Sequence, residues 1–345
     1  MNFNSRQIVQ RALAGEPAPR LATGPLAVHY CAHLSGVTLR QYTTDARTMA
    51  ECIVRYYERF QPDAVWVSAD TWVTAEAMGA RVGFAGDNQP LGGAGAPLVR
   101  TLADVDRIPP PDPRSQGRWP LMIEAVQRVV DALGQRAFVV ACFDQYPFSL
   151  ACALMGMQPV MTSLLDDRSL VAALMERCSE YAQAYAVALA GAGADMLSGG
   201  DSPAGLIGPQ LYRQVALPAE QRVIEGIRRH TAAPISLHIC GNATPILADM
   251  ATSGAEVLEL DQQVDMRQAC GNLGPAITIW GNLDPVGVLA RGSAAVVRAA
   301  AEQLVQTMHD CGHARFVLSS GCTLAIETPP ENVDALLLAA RQAAW

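Results

Sequence analysis

The sequence predicts a (β/α)8 TIM barrel, an α/β fold built as a single domain over residues 1–345. Three observations predict it. Short apolar segments rich in Val, Ile, Leu and Ala recur eight times, helix-compatible stretches lie between them, and a polar residue follows each apolar segment. The length also suits one such domain, since these barrels typically run to about 250 residues and lengthen with insertions.

The eight strands are expected at Pro25–Tyr30, Ala64–Ser68, Ala137–Cys142, Asp195–Gly199, Pro234–His238, Glu256–Leu260, Ala276–Trp280 and Arg315–Ser319. Helices are expected at Thr44–Phe60, Leu170–Ala190, Pro209–Arg229, Thr244–Thr252, Val286–Cys311 and Pro329–Ala344, where apolar residues repeat at i, i+3 and i+4. Thr328-Pro329-Pro330-Glu331 reads as a capping box, which makes Glu331 a cap, and Asp284-Pro285 reads as an N-cap followed by a helix-starting proline. The longest interruption, Gly79 to Pro120, carries Gly92-Gly93-Ala94-Gly95 and Pro109-Pro110-Pro111. It is expected to be an excursion between strands 2 and 3 that folds over one barrel end. Its glycines do not spell G-x-G-x-x-G after a strand, so a dinucleotide site is not expected. The uncharged run Gln145–Leu165 has membrane-spanning length, but Pro147, Gly156, Gln158 and Pro159 interrupt it, and it reads as a buried strand exit and loop.

Composition removes whole classes of chemistry. All 25 basic residues are Arg. A chain without lysine forms no Schiff base through its own side chain and has no Walker A loop, which excludes class I aldolases, pyridoxal phosphate enzymes and P-loop NTPases. A net charge of -8, no basic run and 6% aromatics argue against a nucleic-acid surface. Nine scattered cysteines, with no apolar N-terminal stretch behind a basic segment, fit a cytoplasmic, reducing setting with thiols free for metals. Neither a membrane nor a nucleic-acid partner is expected, and a homo-oligomer is left open.

In such barrels the active site lies at the C-terminal ends of the strands. In chain order those ends carry His29, Cys31 and His33; Asp70; Asp144 and Tyr146; Asp201; His238 and Cys240; Asp261; Asn282; and Cys322. His33, Asp70, Tyr146, Asp201 and Asn282 are taken as substrate-binding residues. His238 and Cys240, two apart on an extended segment, point to one side, and strand 8 closes the barrel so that Cys322 can converge on them. One imidazole and two thiolates form a three-ligand set for Zn2+ that leaves a fourth position open, the arrangement of a catalytic site. Two thiolates also neutralise the ion, which suits binding and deprotonating a thiol. Cysteine is at the same time among the most buried residue types, so spacing alone is also compatible with plain packing. His29-Tyr30-Cys31-Ala32-His33 offers a rival alternating set, but nothing remote closes it; His33 is kept as a pocket residue, the other two as packing. Cys311 and His313 precede strand 8 and fall at the opposite end, while Cys52, Cys178 and Cys270 lie in helices or connections.

Several segments resemble the uroporphyrinogen decarboxylase superfamily: Ala14-Gly15-Glu16-Pro17, Pro62-Asp63-Ala64-Val65 leading to Asp70, Glu76-Ala77-Met78-Gly79, and Ser320-Gly321-Cys322-Thr323 with Pro329, Glu331 and Asn332. The matches span nearly the whole chain. Asp70 fits the decarboxylases, but the paired N-terminal arginines are missing, Cys152 stands where they carry Tyr and Cys322 where they carry His. The pattern His238-x-Cys240 with distant Cys322 is similar instead to the methylcobamide:coenzyme M methyltransferase branch, whose zinc motif it matches. It also resembles cobalamin-independent methionine synthase, and that likeness implies Asp261 as a carboxylate fourth ligand.

The resemblance implies a zinc-dependent methyltransferase that moves a methyl group between a methyl-corrinoid (cobalamin) and a thiol such as coenzyme M. His238, Cys240 and Cys322 are then both catalytic and metal residues. The chain shows no Asp-x-His-x-x-Gly corrinoid signature, so the corrinoid co-substrate is expected free or on a corrinoid protein. Alternatives are a demethylating enzyme passing methyl from a methoxylated or methylated donor to cobalt(I), a non-catalytic corrinoid- or thiol-binding protein with structural zinc, and a uroporphyrinogen decarboxylase.

Overall fold

The computed structural model describes residues 3–84, 86, 90–92 and 96–345; Gly93, Ala94 and Gly95 lie outside the described residues. The barrel strands are β1 (Ala22–Thr23), β2 (Ala64–Val67), β3 (Phe138–Gln145), β4 (Met196–Gly200), β5 (Ile235–Ile239), β6 (Val257–Leu260), β7 (Thr278–Leu283) and β8 (Phe316–Ser320). All pair in parallel, in the order β1-β8-β7-β6-β5-β4-β3-β2. Burial on both faces explains their near-continuous apolar runs, of which Ala-Val-Trp-Val in β2 is an example.

The β1–β2 seam is drawn together by Asp63. Its N–H donates to the Thr23 carbonyl at 3.1 Å, its carboxylate accepts from Thr23 N–H and Oγ1 at 3.0 Å, and Arg20 grips it at 2.6 Å with both terminal nitrogens. Beside the seam one carbonyl, that of Gly24, accepts from Trp66 Nε1 (3.3 Å), Trp280 Nε1 (2.9 Å) and Ser319 Oγ (2.8 Å). A Cβ at residue 24 would sit 2.1 Å from the Trp280 ring, so only glycine fits.

Strands 2 to 8 lie where expected, within a few residues. Strand 1 is a correction: Pro25–Tyr30 is not a strand. Proline offers no N–H to a ladder, so the strand ends at Thr23 and the chain turns into a helix, His29–Ser35. Gln145–Leu165 is corrected as well. It forms helices Pro147–Met155 and Met157–Ser163, and Pro147 starts the first because φ is preset and no donor is needed there. Among the described residues no helix is long and apolar enough to cross a membrane.

The Asp284 cap is present, accepting from Val286 and Gly287 N–H at 2.9 Å. The helix after it is split into a π turn, Pro285–Ala290, and Ala294–Cys311, which Ser293 caps anew. The capping box at Thr328 does not form: the last helix runs Pro330–Gln342 from N-cap Pro329 without a side-chain cap, and Thr328 Oγ1 is buried with no partner among the described residues. Glu331 stands in the first turn, where negative charge suits the helix dipole. Helices Ser5–Ala14 and Trp119–Leu133 were not anticipated. The excursion after β2 contains an antiparallel hairpin, Val82–Gly83 with Leu91–Gly92. Gly92 lies against the Trp72 ring, just beyond Asp70, so the hairpin covers the loop that leaves β2.

Candidate active site

A cavity of about 470 Å³ opens at the C-terminal ends of the strands. His238, Cys240 and Cys322 share it with Asp70, Asp144, Gln145, Ser149 and Glu259. Register explains the grouping, because Gly200 of β4 pairs with both Gln145 of β3 and His238 of β5, and His238 pairs with Glu259 of β6.

The expected donor set converges. His238 Nε2 lies 2.9 Å from Cys240 Sγ and the two sulfurs are 3.7 Å apart, with all three donor atoms within 4.8 Å of one another. His238 Nδ1 is tied to the Glu259 carbonyl at 3.0 Å, which leaves Nε2 facing the sulfurs. Cys240 N–H donates to Ser202 Oγ at 3.3 Å. Gly321 lets the loop before Cys322 lie on the loop after β6, since a Cβ there would sit 2.4 Å from the Gln262 nitrogen.

The sulfurs and the imidazole shift one another. The Cys322 contact draws the Cys240 thiol down to about 7, against its burial. The same contact together with burial pushes Cys322 up to about 12. Burial opposes a charged His238, but the Cys322 sulfur and the Glu259 carboxylate prevail and raise it to about 9. Such a set shares protons readily and offers soft sulfur plus imidazole, the donors that suit Zn2+. Beneath it the Glu259 carboxylate accepts from Ser198 Oγ (2.8 Å) and from Ser236 Oγ.

Asp70 also lines the cavity. Its carboxylate caps Trp72 N–H at 2.8 Å and is held by Arg118 at 2.5 and 3.1 Å, while Arg118 Nε reaches Glu76 at 2.5 Å. The excursion after β2 thus returns an arginine that holds Asp70 without itself lining the cavity.

The other expected pocket residues lie elsewhere. His33 is exposed on the last turn of the His29–Ser35 helix, because a helix, unlike a strand, does not keep alternate residues on one side. From that segment it is His29 that borders the cavity, its Nε2 at 2.6 Å from the Ala69 carbonyl. Tyr146 is buried, its hydroxyl donating to the Ser236 carbonyl at 3.0 Å. Asp201 lies under the Pro147–Met155 helix and accepts Ser149 N–H at 2.7 Å. Asn282 donates to the Asp261 and Val264 carbonyls at 3.0 and 2.9 Å. Asp261 is buried in its own turn, accepting Gln263 N–H at 2.8 Å, and is not one of the three converging donors.

Sequence reasoning missed Glu259, Arg118 and Ser149. Glu259 alone carried a usable signal, a carboxylate at an inward position of the apolar strand Val-Leu-Glu-Leu.

Residues 4–343 match the uroporphyrinogen decarboxylase (URO-D) family. The methylcobamide:CoM methyltransferase MtbA of Methanosarcina mazei is 30% identical over 347 aligned residues, covering 98% of each chain. A uroporphyrinogen decarboxylase of Nostoc punctiforme is 30% identical over 290, covering 82% of this chain and 79% of that one. Among solved structures, a methyltransferase from Methanosarcina mazei superposes with a TM-score of 0.88 at 25% identity, covering 98% of both chains. A B12-independent methionine synthase from Shewanella shares the fold, with a TM-score of 0.59 at 11% identity, covering 93% of this chain and 97% of that one. The chain belongs to the uroporphyrinogen decarboxylase family, and it is an enzyme of that family's methyltransferase side.

Proposed function

We propose that this enzyme is a zinc-dependent corrinoid methyltransferase that transfers a methyl group from a methyl-corrinoid, free or carried by a corrinoid protein, to a small thiol. The observation that carries the reading is the convergence of His238, Cys240 and Cys322 inside a strand-end cavity. These three residues would hold the ion, and the Glu259 carbonyl fixes the imidazole that faces it. Zn2+ held there supplies a Lewis acid that lowers the pKa of an incoming thiol, so that its thiolate is present at neutral pH.

The protein's own part is positioning. A cavity of about 470 Å³ would take a small thiol, and a methyl-corrinoid would approach from its open side. The sulfur lone pair forms the S–CH3 bond as the Co–CH3 bond breaks; both electrons of that bond stay on cobalt, which becomes cobalt(I), and the thiol proton leaves to solvent. Asp70, immobilised by Arg118, fixes one wall of the cavity for this in-line approach. MtbA of Methanosarcina mazei is named for coenzyme M, which makes that thiol the first acceptor to assay. Decarboxylation of a porphyrinogen is disfavoured because, among the described residues, no arginine lines the cavity to receive its carboxylates.

Metal analysis of the purified protein, coupled to methylcobalamin consumption across several thiols, tests the reading. It predicts one zinc per chain, with Cys240→Ala losing both zinc and thiol alkylation. Bound zinc and alkylation unchanged in Cys240→Ala would sink it.

A further inference from the structure

The cavity wall at the end of β3 has buried polar atoms without hydrogen-bond partners among the described residues. Asp144 is 5% exposed and Ser149 3%. Among the described residues Asp144 Oδ1 and Gln145 Oε1 lack a hydrogen-bond partner, and both residues line the cavity, whereas the Ser149 side chain is turned to the Asp201 carboxylate. The other carboxylate oxygen, Asp144 Oδ2, accepts Thr74 N–H at 2.9 Å. Asp144 sits at φ +80°, a backbone state that L residues other than Asn and Asp seldom adopt, so the fold spends strain to aim a carboxylate here.

The same wall is poorly made for an anion. Among the described residues no arginine lines it, and the chain contains no lysine. Burial holds His29 below its ordinary value and hence uncharged. Three backbone N–H groups near this wall are taken by the chain's own carboxylates: Trp72 by Asp70, Thr74 by Asp144 and Ser149 by Asp201. Burial also pushes the Asp144 carboxyl up to about 8, outweighing the Thr74 N–H and the Arg118 charge that favour its ionised form. A carboxyl so placed gains most from a cation.

Resting on the methyl-transfer reading above, we infer that the thiol carries an ammonium group, which docks on Asp144 Oδ1 with Gln145 Oε1 of the next residue, while the sulfur lies toward Cys240 and Cys322. Gln145 and His238 are two strand spacings apart through Gly200, about 10 Å between backbones, so inward side chains leave room for a short aminothiol.

Three thiols of equal carbon length isolate the charge: 2-aminoethanethiol, 2-mercaptoethanol and 2-mercaptoethanesulfonate. With zinc-loaded enzyme and methylcobalamin, kcat/KM should fall in that order, by about tenfold or more from first to last, as expected for a charged hydrogen bond. Asp144→Asn should reduce the aminothiol to within about twofold of mercaptoethanol measured on the same variant, with circular dichroism reporting its fold. The wild-type series decides the matter even if the variant fails to fold. Calorimetry on the products, 2-(methylthio)ethylamine against 2-(methylthio)ethanesulfonate, reads the same preference without turnover. A sulfonate methylated or bound as well as the amine, or better, overturns the inference and leaves the methyltransferase reading standing. Tight amine binding that depends on Asp144, with no thiol methylated, sinks the methyltransferase reading and keeps the ammonium site; neither result overturns both.

Discussion

The Glu259 carbonyl holds His238 Nδ1 at 3.0 Å while the Glu259 carboxylate, buried among Ser198 and Ser236, faces the same imidazole with charge. One residue therefore orients the histidine through its backbone and polarises it through its side chain. Removing the side chain keeps the first effect and deletes the second.

Glu259→Ala should weaken zinc binding about tenfold, in the range found for outer-shell partners of a ligating histidine. It should also destabilise the fold by about 1–3 kcal/mol, because two buried hydroxyls lose their acceptor. Competition with a chromophoric chelator and urea unfolding measure the two effects; unchanged zinc affinity would show that the carboxylate is structural.

Arg118→Met should be costly although the side chain is neither a cavity-lining residue nor one of the converging donors. It leaves the Asp70 and Glu76 carboxylates without their cation, and the Asp70 side chain is only 1% exposed. Breaking a buried pair by removing one partner costs about 3–5 kcal/mol. Denaturant unfolding should show a loss of this size; a change below about 1 kcal/mol would mean that water reaches Asp70 freely.

Asp144 should give stability a pH dependence of definite sign. Its carboxyl is raised from 3.8 to about 8, first by burial, so the fold prefers the neutral form. That contribution is complete below pH 3.8 and is lost as the pH rises through about 8. The Tm of Asp144→Asn relative to wild type should therefore climb between these limits. A flat difference would place the carboxylate in contact with an unseen cation or with solvent.

Gly321→Ala tests how Cys322 is held. The new Cβ would press on the Gln262 nitrogen from 2.4 Å, and a collision with backbone is relieved only by moving a loop. Overpacking of this kind costs about 1–3 kcal/mol. Zinc affinity should fall by more than the Tm change accounts for, because the displaced loop carries a donor. Equal affinity in variant and wild type would show that the loop after β8 adjusts without moving Cys322.

What the sequence revealed follows from what a side-chain pattern can encode. Strands 2 to 8 were legible because a strand buried on both faces must be apolar throughout. Pro25–Tyr30 misled because it is equally apolar and buried, yet leaves the ladder at a proline; burial alone does not distinguish a strand from a packed loop. His238, Cys240 and Cys322 were legible as a convergent set from period-two spacing and barrel closure. Arg118 was not, because it reaches Asp70 from the far end of the excursion, and nothing local links the two. Asp144 stood among the strand ends, but its importance lies in a positive φ and an empty hydrogen-bonding position, neither of which leaves a mark in residue type. His33 and Asn282 were polar residues near strand ends that the backbone turned outward or into its own loops.

The three donors on the Gly24 carbonyl set the order in which this molecule can be completed. Ser319 lies 295 residues beyond Gly24, and β8 must pair with β1 before the ring exists. On a ribosome adding about 5–20 residues per second, the nascent chain holds His238 and Cys240 for seconds before Cys322 is made. Throughout that interval the growing protein has an open sheet edge and two thirds of a donor set. The seam at Gly24 thus makes barrel closure and completion of the donor trio one late event, so a chain released short of Cys322 would have neither.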